Sequence, residues 1–280
     1  MQFKNIMVYL DQGNSNQARV DSALAIASTH GAALTGVVLI AQPSPAILQR
    51  LGITNAPAIH EKSRADAQES IDQFHQRAAA AGVEADVLKL ECLEGDAPAK
   101  LSRVARVYDL SILRQANPDR DNAAFVAGLS EEVMFSSGRP VLYMPYIGAH
   151  QIPFKRGLIA WDGSRSSARA VHDALPLLEN MDQVTILVIE SNAMEPSSDG
   201  VMPGEGLSRH LRRHGISSEI QRLIRGDSST STLVLNELAN TGADLLVMGG
   251  SGTPKLREII LGGVTRTVLE MMTVPVFMSH

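Results

Sequence analysis

The 280-residue chain has one cysteine, 4% aromatic residues and no apolar run near the ~20 residues that a membrane-spanning helix needs. A single cysteine, Cys92, excludes an intramolecular disulfide and any clustered-cysteine metal site, and it suits a reducing compartment. With 6 Phe, 4 Tyr and 1 Trp, the core has to be built from aliphatic side chains, as in parallel strands covered by helices on both faces. There is no excess of positive charge. The net charge of -5 lacks the concentrated cationic field of a nucleic-acid or anionic-membrane binder, so neither partner is expected. The basic cluster Arg209, His210, Arg212, Arg213 and His214 sits at helical spacing beside Leu207 and Leu211, which makes it a solvated helix face. The segment from Met1 to Val8 has no signal-peptide pattern, and a cytoplasmic location is the expectation.

What the chain does have is internal similarity. Lys4 to Asp11 (KNIMVYLD) resembles Lys155 to Asp162 (KRGLIAWD), each a lysine, a strand-length apolar run and an aspartate followed by a polar turn. The helix after Asn14-Ser15-Asn16 ends near Gly31. In the second half Ser164 is a predicted N-cap and Ala168, Val171, Leu175 and Leu178 a predicted buried stripe, with Pro176 expected to kink or shorten the helix. Leu34 to Ile40 and Val184 to Ile189 follow as strands. Helices closed by Gly82 and Gly215 come next, then Gly95-Asp96 and Gly226-Asp227. Without a gap, Asp109 to Leu113 and Asp244 to Met248 stand the same distance before Pro140 to Met144 and Pro275 to Met278. Each half is therefore predicted to alternate strand and helix through five strands, giving two tandem α/β domains, 1–148 and 152–280, each a mainly parallel five-stranded sheet with helices on both faces.

In such sheets ligands bind beyond the carboxyl ends of the strands. The strand 244–248 runs into Gly249-Gly250-Ser251-Gly252 and continues through Thr253 to Leu261. It closes with Gly262-Gly263-Val264-Thr265 at a helix start. Glycines let a phosphate chain approach the backbone, and a helix start offers unpaired N–H groups. Lys255, Arg257 and Thr265 are the polar groups near that turn. The alternative is that the glycines only make a tight turn.

The combination resembles the universal stress proteins. That family pairs an N-terminal strand ending in aspartate with a Gly-x2-Gly-x9-Gly-Ser/Thr loop and a final Pro-Val strand. Here these are Ile159 to Ser164, then Gly249, Gly252 and Gly262, then Val274-Pro275-Val276. The resemblance implies an adenine nucleotide α-hydrolase-like fold and ATP or another adenine nucleotide, with magnesium, in the second half. The site would be Asp162, Val188 or Ile189, Met248, Gly249, Gly252, Gly262, Gly263 and Val264. It also implies that Val141 to Met144 and Val276 to Met278 pair within the molecule as a pseudo-dimer, that two chains can associate further, and that an unidentified protein partner reads the bound state. One departure stands out: Gly263 replaces the family's Ser/Thr, so a phosphate-contacting hydroxyl is missing unless Thr265 supplies it. In the first half Arg114, Asn117 and Ala127 take the places of Gly249, Gly252 and Gly262, with Gly128 opposite Gly263, and no nucleotide is expected there. A slow ATPase and a nucleotide-free interaction module are the alternative readings. No catalytic set and no paired metal spacing is legible.

Overall fold

The computed structural model describes residues 2–280 except 14, 51, 53, 149, 192–199, 256 and 257, and does not describe the side chains of 252–260. The chain divides into two compact units, Gln2–Ala149 and His150–His280. The first contains β1 (Asn5–Leu10), α1 (Asn16–His30), β2 (Ala33–Gln42), a short α2 (Pro45–Arg50), α3 (Ala56–Ala81), β3 (Ala85–Leu93), α4 (Ala97–Ala105), β4 (Leu110–Arg114), α5 (Ala123–Ser136) and β5 (Val141–Met144). The second contains β6 (Arg156–Ala160), α6 (Arg165–Leu178), β7 (Gln183–Glu190), α7 (Glu205–Arg213), β8 (Glu219–Ile224), α8 (Thr230–Thr241), β9 (Leu245–Gly249), β10 (Gly252–Lys255), β11 (Glu258–Leu261), α9 (Gly263–Met271) and β12 (Val276–Ser279).

Every pairing within the five-stranded sheets is parallel. In the first unit β1 lies between β2 and β4, with β3 and β5 beyond them. The second unit repeats this order, with β6 between β7 and β9, β8 beyond β7 and β12 beyond β9. The strand order reverses beside β1 and beside β6, which opens a crevice at their carboxyl ends. The inner strand β4 is buried at every position, as a strand covered on both faces should be.

Local chemistry places the helix starts. Ser164 sits in extended conformation before α6 and its Oγ accepts from the Ser167 N–H at 3.2 Å. Ser229 caps α8 in the same way through the Thr232 N–H at 3.0 Å. Pro176 does not stop α6, which runs two residues further, because proline in the last turn removes only one helical bond. Along α6 the buried stripe contains Val171, Leu175 and Leu178, whereas Ala168 is exposed. On α7 Leu207 and Leu211 are buried and the neighbouring basic residues exposed.

The chain departs from simple alternation in two places: α2 is an added turn in the first unit, and the predicted glycine loop of the second folds into the β10–β11 hairpin. That hairpin is antiparallel, with Gly252 opposite Leu261 and Lys255 opposite Glu258. A further correction concerns the first unit. Gapless comparison sets Ala127 and Gly128 opposite Gly262 and Gly263 at a helix start, yet α5 already begins at Ala123, so both lie inside it. With no hairpin to form, the helix-favouring run from Ala123 starts directly after a shorter connection.

Candidate functional site

In the second unit a cavity of about 150 Å3 opens at the carboxyl ends of β6, β7 and β9, bounded by the starts of α6, α8 and α9. It gathers Asp162, Ile189, Met248, Gly249 and Val264, five of the residues singled out from the sequence. Ala160, Leu187 and Val234 complete an apolar slot. The β-strand alternation decides the register of β7: Leu187 and Ile189 face this cavity, and Val188 lines a different one on the opposite face. Of the two residues offered for that position, Ile189 is the one brought to the site.

The glycine turn closes on itself through the backbone. The Gly262 N–H donates to Ser251 O at 2.8 Å, and the Gly250 N–H donates to Ser279 O at 2.8 Å. Gly252 begins β10 opposite Leu261, so the hairpin leaves Gly249 and the Gly262-Gly263 pair as neighbours of one rim. One of these glycines is required by space: a Cβ on Gly249 would stand 2.5 Å from the Ser167 backbone N, whereas one on Gly262 would meet Ser251 Oγ, the end of a side chain that can turn aside. Gly263 is different, since a Cβ there meets nothing within 4 Å.

Three helix starts wall the cavity, and they are not alike. Serines cap α6 and α8, but α9 is preceded by Gly262 and has no side-chain cap. Its first turn thus donates no hydrogen bond to a cap side chain, and its dipole has its positive end at the cavity. Lys255 and Arg257, the cations placed in the loop by the sequence, lie outside the described side chains.

Thr265, the residue offered for the missing hydroxyl, lines the cavity and is already engaged with Ser251. Its side chain is fully buried, and its Oγ1 accepts from the Ser251 N–H at 3.1 Å and lies 3.1 Å from Ser251 Oγ. It ties the start of the turn to α9, because position 265 lies a helical step inward from the exposed Gly263. Thr265→Val is expected to lower stability by about 0.5–1.5 kcal/mol, the net contribution of the half-buried hydrogen bond it removes. Chemical denaturation checks this, and an unchanged midpoint would show that the latch contributes nothing.

Asp162 lies at the rim. Its Oδ1 accepts from the Ser164 N–H at 2.9 Å. Partial desolvation pushes the carboxyl up, but hydrogen bonds from Ser164 and Ser167 together outweigh it, so the group stays below the usual carboxylate range and is charged at neutral pH.

The equivalent place in the first unit is filled. Arg114, at the end of β4 where β9 has Gly249, is 5% exposed and its Nη1 lies 3.0 Å from Asp11 Oδ2. Arg19, 1% exposed, reaches the same oxygen at 3.3 Å and donates from Nε to Tyr9 O at 2.9 Å. Burial raises the Asp11 carboxyl, and the two guanidiniums more than reverse this. Gly13 makes room for the arrangement, as a Cβ there would stand 2.8 Å from Arg114 Nη1. Sequence reasoning identified the exchange of Gly249 for Arg114 but not this ion cluster. An arginine replacing glycine opposite a retained aspartate was the available signal.

Among the described residues no group of three His, Cys, Asp or Glu side chains could hold a metal, and no helix is long and apolar enough to cross a membrane.

An open parallel sheet with a glycine-lined crevice at its switch point defines an α/β protein of the doubly wound class. Residues 153–280, within the second unit, match the Universal stress protein family. Universal stress protein YxiE of Bacillus subtilis is 25% identical over 146 residues, covering 44% of this chain and 97% of that protein. The fold likeness extends further. A universal stress protein from Archaeoglobus fulgidus superposes with a TM-score of 0.76 at 18% identity, covering 98% of this chain and 94% of the other. A candidate universal stress protein from Pseudomonas aeruginosa gives 0.56 at 11% identity, covering 98% and 92%.

Proposed function

We propose that the second domain binds an adenine nucleotide, ATP or a shorter relative, and that the bound state regulates the protein's association with a protein partner. The observation that carries this reading is the single cavity joining Asp162, Ile189, Met248, Gly249 and Val264 beneath the uncapped start of α9. The apolar slot suits a base. Its volume is small against the ~300–1,000 Å3 of sites that enclose a drug-sized ligand, so the slot would hold one ring-sized end while the phosphates lie along the open turn. Gly263 and Val264 N–H groups would receive the phosphates, and Asp162 would accept from the sugar or base. Magnesium would come with the phosphates, since a lone Asp162 is no metal site.

Loss of the Ser/Thr hydroxyl at Gly263, with Thr265 committed to Ser251, favours ligands that need fewer terminal contacts. The expected result of calorimetric titration with ATP, ADP and AMP in magnesium is one nucleotide per chain, with ADP bound at least as tightly as ATP. Native mass spectrometry of the purified protein provides the stoichiometry independently. Failure of all three nucleotides to bind would remove the proposal.

A further inference from the structure

The larger opening in the second domain is elsewhere. A cavity of about 640 Å3 lies between α6 and α7, on the face of the sheet turned away from the glycine turn. That size is within the range of sites that enclose small molecules. Its apolar walls include Val171, Val188 and Leu207, and Trp161, the chain's single tryptophan, also lines it.

One wall is firmly built. Gly204, at φ 89°, approaches the sheet so closely that a Cβ would stand 3.0 Å from Ile220 Cγ2 and 3.1 Å from Val188 Cγ2. The Arg222 Nε–H donates to Pro203 O at 3.0 Å, holding the same segment to β8. The opening is thus fixed to the framework of β7 and β8.

Its charge has one sign. Asp162 and Glu190 line the cavity, and among the described residues no lysine or arginine does. His210 on its rim is held below the usual imidazole range, first by partial desolvation and then by His214, His172 and Arg213, so it adds no positive charge at neutral pH. An indole face beside two carboxylates attracts an organic cation. The first domain has a cavity of about 340 Å3 over its β1 and β2, but there Lys62 shares the rim and pairs with Asp66 at 3.0 Å.

We propose that the α6–α7 cavity is a second ligand site, adjoining the cavity at the glycine turn and meeting it at Trp161 and Asp162, for a small organic cation carrying an aromatic ring. The ammonium is held by Glu190, and the ring lies against Trp161 among Val171, Val188 and Leu207.

The test is titration of the full chain with phenethylamine, phenethyl alcohol and phenylacetate, which share one ring and differ in charge. Trp161 fluorescence and calorimetry are read in parallel. Saturable binding of the amine is expected, with the alcohol and the carboxylate each at least about tenfold weaker. Glu190→Gln, a rim substitution outside the core, is expected to weaken the amine about tenfold and leave the alcohol unchanged. Gly263→Asp, at the glycine turn, leaves amine binding unchanged. The proposal is overturned by no saturable response to the amine, by phenylacetate binding as tightly, by indifference to Glu190→Gln, or by loss of amine binding in Gly263→Asp.

Discussion

Asp11→Ala is expected to destabilise the first domain by about 3–5 kcal/mol, the typical cost of removing one partner from a buried ionic cluster. Arg114 and Arg19 are 5% and 1% exposed, so neither can turn to water when the carboxylate they share is gone. At about 2–4 °C per kcal/mol for a chain of this size, the thermal midpoint should fall by roughly 10 °C. Adding Arg114→Gly to Asp11→Ala is expected to recover part of the loss, because it removes one of the two stranded charges. A fall under about 1 kcal/mol in the single variant would mean that the cluster is no structural element.

The same carboxyl gives the domain an acid dependence of definite sign. Its folded pKa is depressed, so its contribution to stability is complete above the unfolded value of about 3.9 and is lost as pH falls through the lower folded value. In Asp11→Ala that part of the acid transition should disappear, which denaturation midpoints measured across the acid range will detect.

The second large effect is on binding. Gly263→Asp is expected to reduce nucleotide affinity on the order of 100-fold or more while leaving the fold intact. Position 263 has room, since a Cβ there meets nothing within 4 Å, and it is the first residue of an uncapped helix. A carboxylate at that place interacts favourably with the helix dipole by about 0.3–1 kcal/mol, so the melting temperature should hold or rise slightly. Toward a phosphate it acts in the opposite sense: two like charges ~4 Å apart at an effective dielectric of ~20 repel by ~4 kcal/mol. The combination separates the site from the scaffold, which substitution at Gly249 cannot do. A side chain at 249 collides with the backbone of Ser166 and Ser167, and its effect on binding would be inseparable from misfolding. Unchanged affinity in Gly263→Asp would place any bound nucleotide away from the start of α9.

Much of the scaffold follows from local pattern. Apolar runs of strand length alternate with helical segments at matching intervals in both halves, which points to parallel strands, while their order and the crevice beside β6 come from the pairing of the strands. The glycines mark the turn, and strands ending at Asp162 and Met248 bring those residues to its edge. Where a residue lies on a strand is therefore readable, but which face it meets is not. Val188 and Ile189 look equivalent as letters and line different cavities, because register on β7 depends on its pairing with β6 and β8.

Other features arise from residues far apart in the chain. Arg114 reaches Asp11 across 103 positions, converting what corresponds to the glycine crevice into an ion cluster. The hairpin β10–β11 is set by backbone pairing that glycine content alone does not specify, and Thr265 turns inward because Ser251 lies above it once that hairpin has formed. The sequence by itself determined the alternation of strands and helices in two halves, the half that keeps its glycines and most of the residues at the rim. Tertiary structure alone decided which side chains fill space, which hydroxyl is committed, and which face of the sheet holds the larger cavity, because each depends on long-range proximity that no local pattern encodes.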